Sequence, residues 1–157
     1  MKVKAYRTMM ESSGYPYLVA ENGNYICDGR KRFDSPETVH DFCVNQLNMD
    51  KLADEYVYCL VTNTKCNLMG VFEVGHGTVD KCPVSAREIF QKILLMNGTG
   101  FIMVHNHPSG DPTASREDIE ITQKVNNAAK VMDIPLLDHV IIGDWYRYCS
   151  MKYENLF

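Results

Sequence analysis

The sequence predicts an α+β domain of three layers, with its longest helix packed on a sheet. Three observations carry this expectation. Three segments place apolar residues at helical spacing, and a serine stands at the start of each. Short continuous apolar runs of strand length lie between and after them. The order is helix, two strands, helix, strand, helix, two strands, which suits helices laid on a common sheet.

Residues 1 to 34 read as an N-terminal extension. Within them PYLVAENGNYICDG holds two β-prone runs around Asn22-Gly23, a hairpin signal. No chemistry is evident there, which fits an edge hairpin or a flap that touches a partner. Ser35-Pro36-Glu37 starts the first helix, with Ser35 as N-cap and Pro36 in the first helical position. Val39, Phe42, Cys43 and Leu47 form its apolar face, and His40 falls on its exposed side. EYVYCLVTNT from Glu55 reads as a buried strand, with a turn from Thr62 to Asn67. LMGVFEV from Leu68 is its antiparallel neighbour, broken by Gly75-His76-Gly77, where His76 is a turn residue.

Ser85-Ala86-Arg87-Glu88 has the pattern of a capping box and opens a second helix. Ile89, Phe90, Ile93 and Leu94 line its apolar face, and Asn97-Gly98-Thr99-Gly100 ends it. FIMVH from Phe101 reads as a central strand, followed by the loop NHPSGDPTA. The third helix runs from Ser115 to near Met132, with Ile119, Thr122, Val125 and Ala129 inward. HVIIG and WYRYCSM read as the last strands.

Composition narrows the function. A chain of 157 residues favours one domain. Hydrophobic residues make up 45% and charged residues 23%, ordinary for a soluble globular protein. The net charge is −4, and the basic residues cluster only at Arg30-Lys31-Arg32. That argues against a protein that tracks the phosphate backbone. No aromatic-plus-basic platform for single strands is present either. No apolar run reaches membrane-spanning length, and MKVKAYRTMMESSGYP lacks the apolar core of a secretory signal. Cys27, Cys43, Cys59, Cys66, Cys82 and Cys149 form no Cys-x-x-Cys pair, so they read as reduced thiols of a cytoplasmic protein.

The chemistry concentrates in MVHNHPSGDPTASRED, Met103 to Asp118. In an extended chain residues i and i+2 share a side, so His105 and His107 converge while Asn106 faces away. Pro108 holds His107 in the extended region. Asp118 lies in the first turn of the third helix, where the macrodipole favours a carboxylate. Two imidazoles and one carboxylate leave a coordination position open, the pattern of catalytic zinc. The residues alone also allow a plainer reading, in which Ser115 and Asp118 only cap the helix and the histidines only decorate a loop.

The register separates these readings. His105-x-His107, seven residues, Ser115, two residues and Asp118 match the JAMM pattern of JAB/MPN metalloproteases. With GTV before it and IPLLDHVIIGD after it, HNHPSGDPTASREDIEIT resembles the bacterial RadC-like branch of that family. The similarity covers about residues 36 to 152, which places a RadC-like JAB/MPN domain at 35–157 and leaves 1–34 outside it. The resemblance implies a cytidine-deaminase-like three-layer fold, a mixed β-sheet flanked by helices, carrying one zinc. It implies His105, His107 and Asp118 as ligands, and Ser115 as a hydrogen bonder near the water or the oxyanion.

The family also uses an upstream glutamate as general base. Glu55 opens the first core strand, fifty residues before His105; Glu73 lies thirty-two before it. Order and spacing favour Glu55, with Glu73 as the alternative. His139 in LLDHVIIG is expected to be structural or to support the ligands. Asn106, Ser109 and Asp111 are expected to shape the loop or meet substrate. The implied activity is zinc-dependent hydrolysis of a peptide or isopeptide bond by metal-activated water, on an unidentified peptide or protein substrate. The alternatives are a DNA-repair-associated role near nucleic acid and a non-catalytic binding module of the same fold. No membrane partner is expected, and a hairpin at 17 to 27 offers a homodimer contact.

Overall fold

A computed structural model describes residues 2–22, 24–26, 32–77 and 84–157. Its centre is a five-stranded sheet. The strands are β5 (Glu55–Thr62), β6 (Leu68–Gly77), β7 (Gly100–Asn106), β8 (Leu136–Ile142) and β9 (Tyr148–Ser150), in the order β6-β5-β7-β8-β9. Only β7 and β8 run parallel; the other pairs are antiparallel. Helix α3 (Arg116–Met132) makes the crossover between that parallel pair, as a parallel connection requires.

The helices make the outer layers. Helix α1 (Pro36–Leu47) puts Val39, Phe42, Cys43 and Leu47 against Leu60, Ile102, Val104, Val140 and Ile142 of the sheet. Helix α2 (Ala86–Leu95) and α3 cover the other face. There Ile89, Phe90, Ile93, Val125 and Ala129 meet Val57, Cys59, Val61, Phe101 and Met103. The period of two along each strand divides these sets. The three-layer arrangement expected from the sequence is therefore present.

Ser35 caps α1 through Thr38 N–H, with Pro36 in the first turn, as the sequence indicates. At α2 the expected start is right but its cause is not. Ser85 is the N-cap residue, yet its side chain makes no capping hydrogen bond. Strand β6 is not broken by its glycines. It pairs with β5 through Tyr56↔His76 and Glu55↔Gly77, and a register shift opposite Val57/Tyr58 absorbs the irregularity. The His76 ring stacks on Tyr56 at 4.0 Å, which helps hold it in the strand. Trp145, Tyr146 and Arg147 also depart from expectation. They form the turn before β9, where Asp144 accepts from the Tyr146 and Arg147 N–H groups.

The N-terminal strands pair differently from the hairpin expected around Asn22-Gly23. PYLVA forms β3 (Pro16–Ala20), but its partner is β2 (Tyr6–Met10), across a turn in which Gly14 has φ +85°. The second run forms β4 (Tyr25–Ile26), which pairs with β1 (Lys2–Val3). These strands dock on the sheet: Lys4 C=O accepts from Val71 N–H, and Val3 and Phe33 are buried with the α1 layer. Gly23 itself, Cys27, Arg30, Lys31, Thr78, Val79 and Cys82 lie outside the described residues. Among the described ones Cys43, Cys59, Cys66 and Cys149 are free thiols. No described helix is long and apolar enough to cross a membrane.

Candidate metal centre

Strand geometry builds the site at one end of β5 and β7. Along β7 the side chains of Phe101, Met103 and His105 take the face under α2 and α3, and along β5 Glu55 continues the face of Val57, Cys59 and Val61. His107, one residue past β7, is tied to β8 by its N–H to Ile142 C=O at 2.9 Å. Asp118 arrives from the first turn of α3. One ligand-type atom from each of Glu55, His105, His107 and Asp118 lies within 4.8 Å of the others.

The separations fit a single small cation. His105 Nε2 and His107 Nε2 are 3.0 Å apart. His105 Nε2 is 3.2 Å from Asp118 Oδ1, and His107 Nε2 is 3.4 Å from Asp118 Oδ2. Nitrogen and oxygen ligands at tetrahedral zinc bond lengths stand about 3.3 Å from one another. The far side of each ring is occupied: His107 Nδ1 meets Asp111 C=O at 2.7 Å, and His105 Nδ1 meets His139 Nε2 at 2.8 Å. Each ring can thus present Nε2 to an ion, with its other nitrogen supported from behind.

The cap and a candidate ligand coincide at the start of α3. Ser115 Oγ accepts from Asp118 N–H at 3.1 Å, while Asp118 Oδ2 accepts from Ser115 N–H at 2.8 Å and Oγ–H at 2.6 Å. This reciprocal box is complete, and it aims the carboxylate at the histidines.

The electrostatics follow from burial and pairing. Burial opposes ionisation of Asp118, but the adjoining His105 and His107 rings and Ser115 outweigh it. They hold Asp118 well below the usual carboxylate range. Burial pushes the Glu55 carboxyl up, against the pull of His105 and His107. For His107, burial is outweighed by Asp118, the Asp111 carbonyl and Glu55, which raise it. Burial, with His105 nearby, drives His139 well below the ordinary histidine value.

Other residues singled out from the sequence take distinct places. Asn106 does face away from the cluster, and it brackets Glu55: Nδ2 donates to Asp54 C=O and Oδ1 accepts from Tyr56 N–H, both at 2.9 Å. Ser109 Oγ accepts from Asp111 N–H at 3.3 Å, and Asp111 Oδ1 accepts from the Thr113 N–H and hydroxyl. Both therefore shape the loop behind His107. Glu73 is exposed, opposite Tyr58 in the ladder, and takes no part in the cluster. His40, expected on the surface, is 5% exposed; the turn before β9 covers it, with Asp144 C=O at its Nε2 and Tyr148 against its ring.

Thr122 is the polar residue whose part was missed. It sits one turn after Asp118 and its hydroxyl meets both the Asp118 carbonyl and His139 Nδ1. The signal available was a hydroxyl at i+4 from a candidate ligand carboxylate, on a face otherwise apolar. Asp138, beside His139, accepts from His139 N–H, Ser150 Oγ–H and Lys152 N–H, which ties β8 to β9 and the turn after it.

A mixed sheet between helices, with two histidines and two carboxylates gathered where β5, β7 and α3 meet, defines a JAB-type domain with a candidate metal centre. The chain belongs to the RadC-like JAB domain family, whose model matches residues 33–156. It is similar to UPF0758 proteins. One from Desulforudis audaxviator is 43% identical over 103 residues, covering 66% of this chain and 44% of that protein. The protein BLi02933/BL00636 of Bacillus licheniformis is 38% identical over 126 residues, covering 80% and 55%. One from Bacillus pumilus is 40% identical over 125 residues, covering 80% and 54%. The chain spans about half the length of these curated relatives.

Proposed function

We propose that this protein is a metal-dependent hydrolase that cleaves a peptide or isopeptide bond, with zinc as the ion. The observation that carries the reading is the position of Glu55. A fourth group, a second carboxylate, stands beside a two-histidine, one-aspartate set without being needed to complete it. A bound divalent ion would supply a polarised, acidified water and an electrophilic contact for a carbonyl oxygen.

The side chains divide the remaining work. His105, His107 and Asp118 would hold the ion, and their partners behind keep them aimed. Glu55 takes the proton of the attacking water and returns it to the departing amine. Its raised pKa makes it a stronger proton acceptor near neutrality. Asn106 fixes the backbone on both sides of Glu55, so the strand position that carries the carboxylate is held. Ser115 orients Asp118; to serve a developing oxyanion, as the resemblance implies, its hydroxyl would have to swing off Asp118 Oδ2.

The test compares Glu55→Gln with Glu73→Gln in a peptide and isopeptide library, with metal content measured in parallel. Glu55→Gln is expected to keep the metal and lose on the order of 10²–10⁴ in rate. Glu73→Gln is expected to match the wild type. Loss of turnover only in Glu73→Gln overturns the assignment of the base. A wild type that binds metal but cleaves nothing favours the binding-module alternative.

A further inference from the structure

Behind the four-residue cluster lies a set of buried polar groups that the proposed reaction does not use. His139 on β8 is 1% exposed and Thr122 on α3 is fully buried. The Thr122 hydroxyl stands 2.5 Å from Asp118 C=O and 2.6 Å from His139 Nδ1. His139 Nε2 stands 2.8 Å from His105 Nδ1. The result is a continuous chain of hydrogen bonds from the backbone of one candidate ligand to the ring of another.

The direction of this chain is fixed at its backbone end. A carbonyl only accepts, so the single Thr122 hydroxyl proton points to Asp118 C=O. Met151 Sδ, at 3.5 Å, is a much weaker acceptor for that proton. With its proton committed, Thr122 Oγ accepts from His139 Nδ1–H. A neutral His139 then has only the Nε2 lone pair to offer, and His105 Nδ1–H donates to it. The His105 Nε2 lone pair is left facing Asp118 Oδ1 and His107 Nε2. Reversing the chain would turn the Thr122 hydroxyl from Asp118 C=O to His139 Nδ1, put the His139 proton on Nε2 and leave His105 protonated at Nε2, where it has no lone pair for an ion.

We infer that His139 and Thr122 are positioning residues that hold His105 in the one tautomer able to bind a metal, Nδ1 protonated and Nε2 free. Metal-binding histidines commonly give that proton to a carboxylate, a backbone carbonyl or water. Here the acceptor is a neutral imidazole, itself oriented by a threonine on the helix that supplies Asp118. The arrangement couples β7, β8 and α3 behind the ion. It rests on the reading of His105 as a ligand, and its test keeps the two ideas apart.

The first measurement is the tautomeric state of His139 in the ¹⁵N-histidine-labelled full chain at neutral pH, without metal and with Zn²⁺. Long-range ¹H–¹⁵N spectra are expected to show a neutral Nδ1–H ring in both states. An imidazolium or an Nε2–H tautomer at His139 overturns the inference. The second is Zn²⁺ affinity by chelator competition. Thr122→Val is expected to bind about tenfold more weakly, with the His139 pattern altered, and Thr122→Ser, which keeps the hydroxyl, to bind as the wild type. Wild-type affinity and an unchanged His139 pattern in Thr122→Val would sink it. If the wild type takes up no Zn²⁺, the metal reading fails alone, and the metal-free spectrum still decides the direction of the chain.

Discussion

At the scale of residues, the site depends on side chains that use both ends. Asn106 is the clearest case outside the histidine chain. Its amide donates to one side of Glu55 and accepts from the other, and it is 1% exposed. Asn106→Asp keeps the acceptor but sets a carboxylate against Asp54 C=O, so the backbone carrying Glu55 must move. A displacement of about 1 Å in a reacting group can cost on the order of 10²-fold. The variant is expected to retain metal and lose turnover by about that factor, with KM little changed. Loss of metal at unchanged kcat would show that Asn106 serves the ligands instead. This contrast was only half legible in the sequence. Strand alternation placed Asn106 opposite the histidines, but its partners lie some fifty residues away and follow from the register of β5 on β7.

At the scale of elements, the loop that carries His107 is seated on the turn between β8 and β9. Gly143 makes this contact feasible: a Cβ there would lie 2.6 Å from Gly110 C=O and 2.9 Å from Pro112 Cδ. Gly110 itself has φ +79°, in the left-handed region where glycine is at ease. Gly143→Ala is expected to push the loop off the turn and weaken Zn²⁺ binding by on the order of tenfold. Chelator competition measures this, and a circular dichroism spectrum like the wild type would place the change in the loop. Unchanged affinity would show that the loop adapts without moving His107. Helix starts at Ser35-Pro36 and at Ser115 were legible because caps are local chemistry. The continuation of β6 through two glycines was not, because pairing with β5 overrides the weak strand propensity of Gly75 and Gly77. Burial of His40 was hidden for a similar reason: the segment that covers it comes about a hundred residues later.

At the scale of the molecule, the three layers meet at the end that carries the four-residue cluster. The α1 face holds an apolar layer and the Asn106 bracket; the face under α2 and α3 holds an apolar layer that gives way to Glu55, His105 and His139. The order of elements and the spacing that gathers His105, His107 and Asp118 were readable, since both rest on periodicity and short range. The N-terminal strands were harder. Their pairings, β1 with β4 and β2 with β3, nest one pair outside the other, and their docking along β6 is a tertiary contact that no local turn signal encodes. The central claim concerns the site those layers build: His105, His107 and Asp118 hold one divalent ion. Its most direct test is the stoichiometry of Zn²⁺ bound to the purified full chain, beside His107→Ala and Asp118→Ala. The account predicts one ion per chain in the wild type and none held stoichiometrically in either variant. A wild type with no stoichiometric metal, or variants that keep it, would contradict the account.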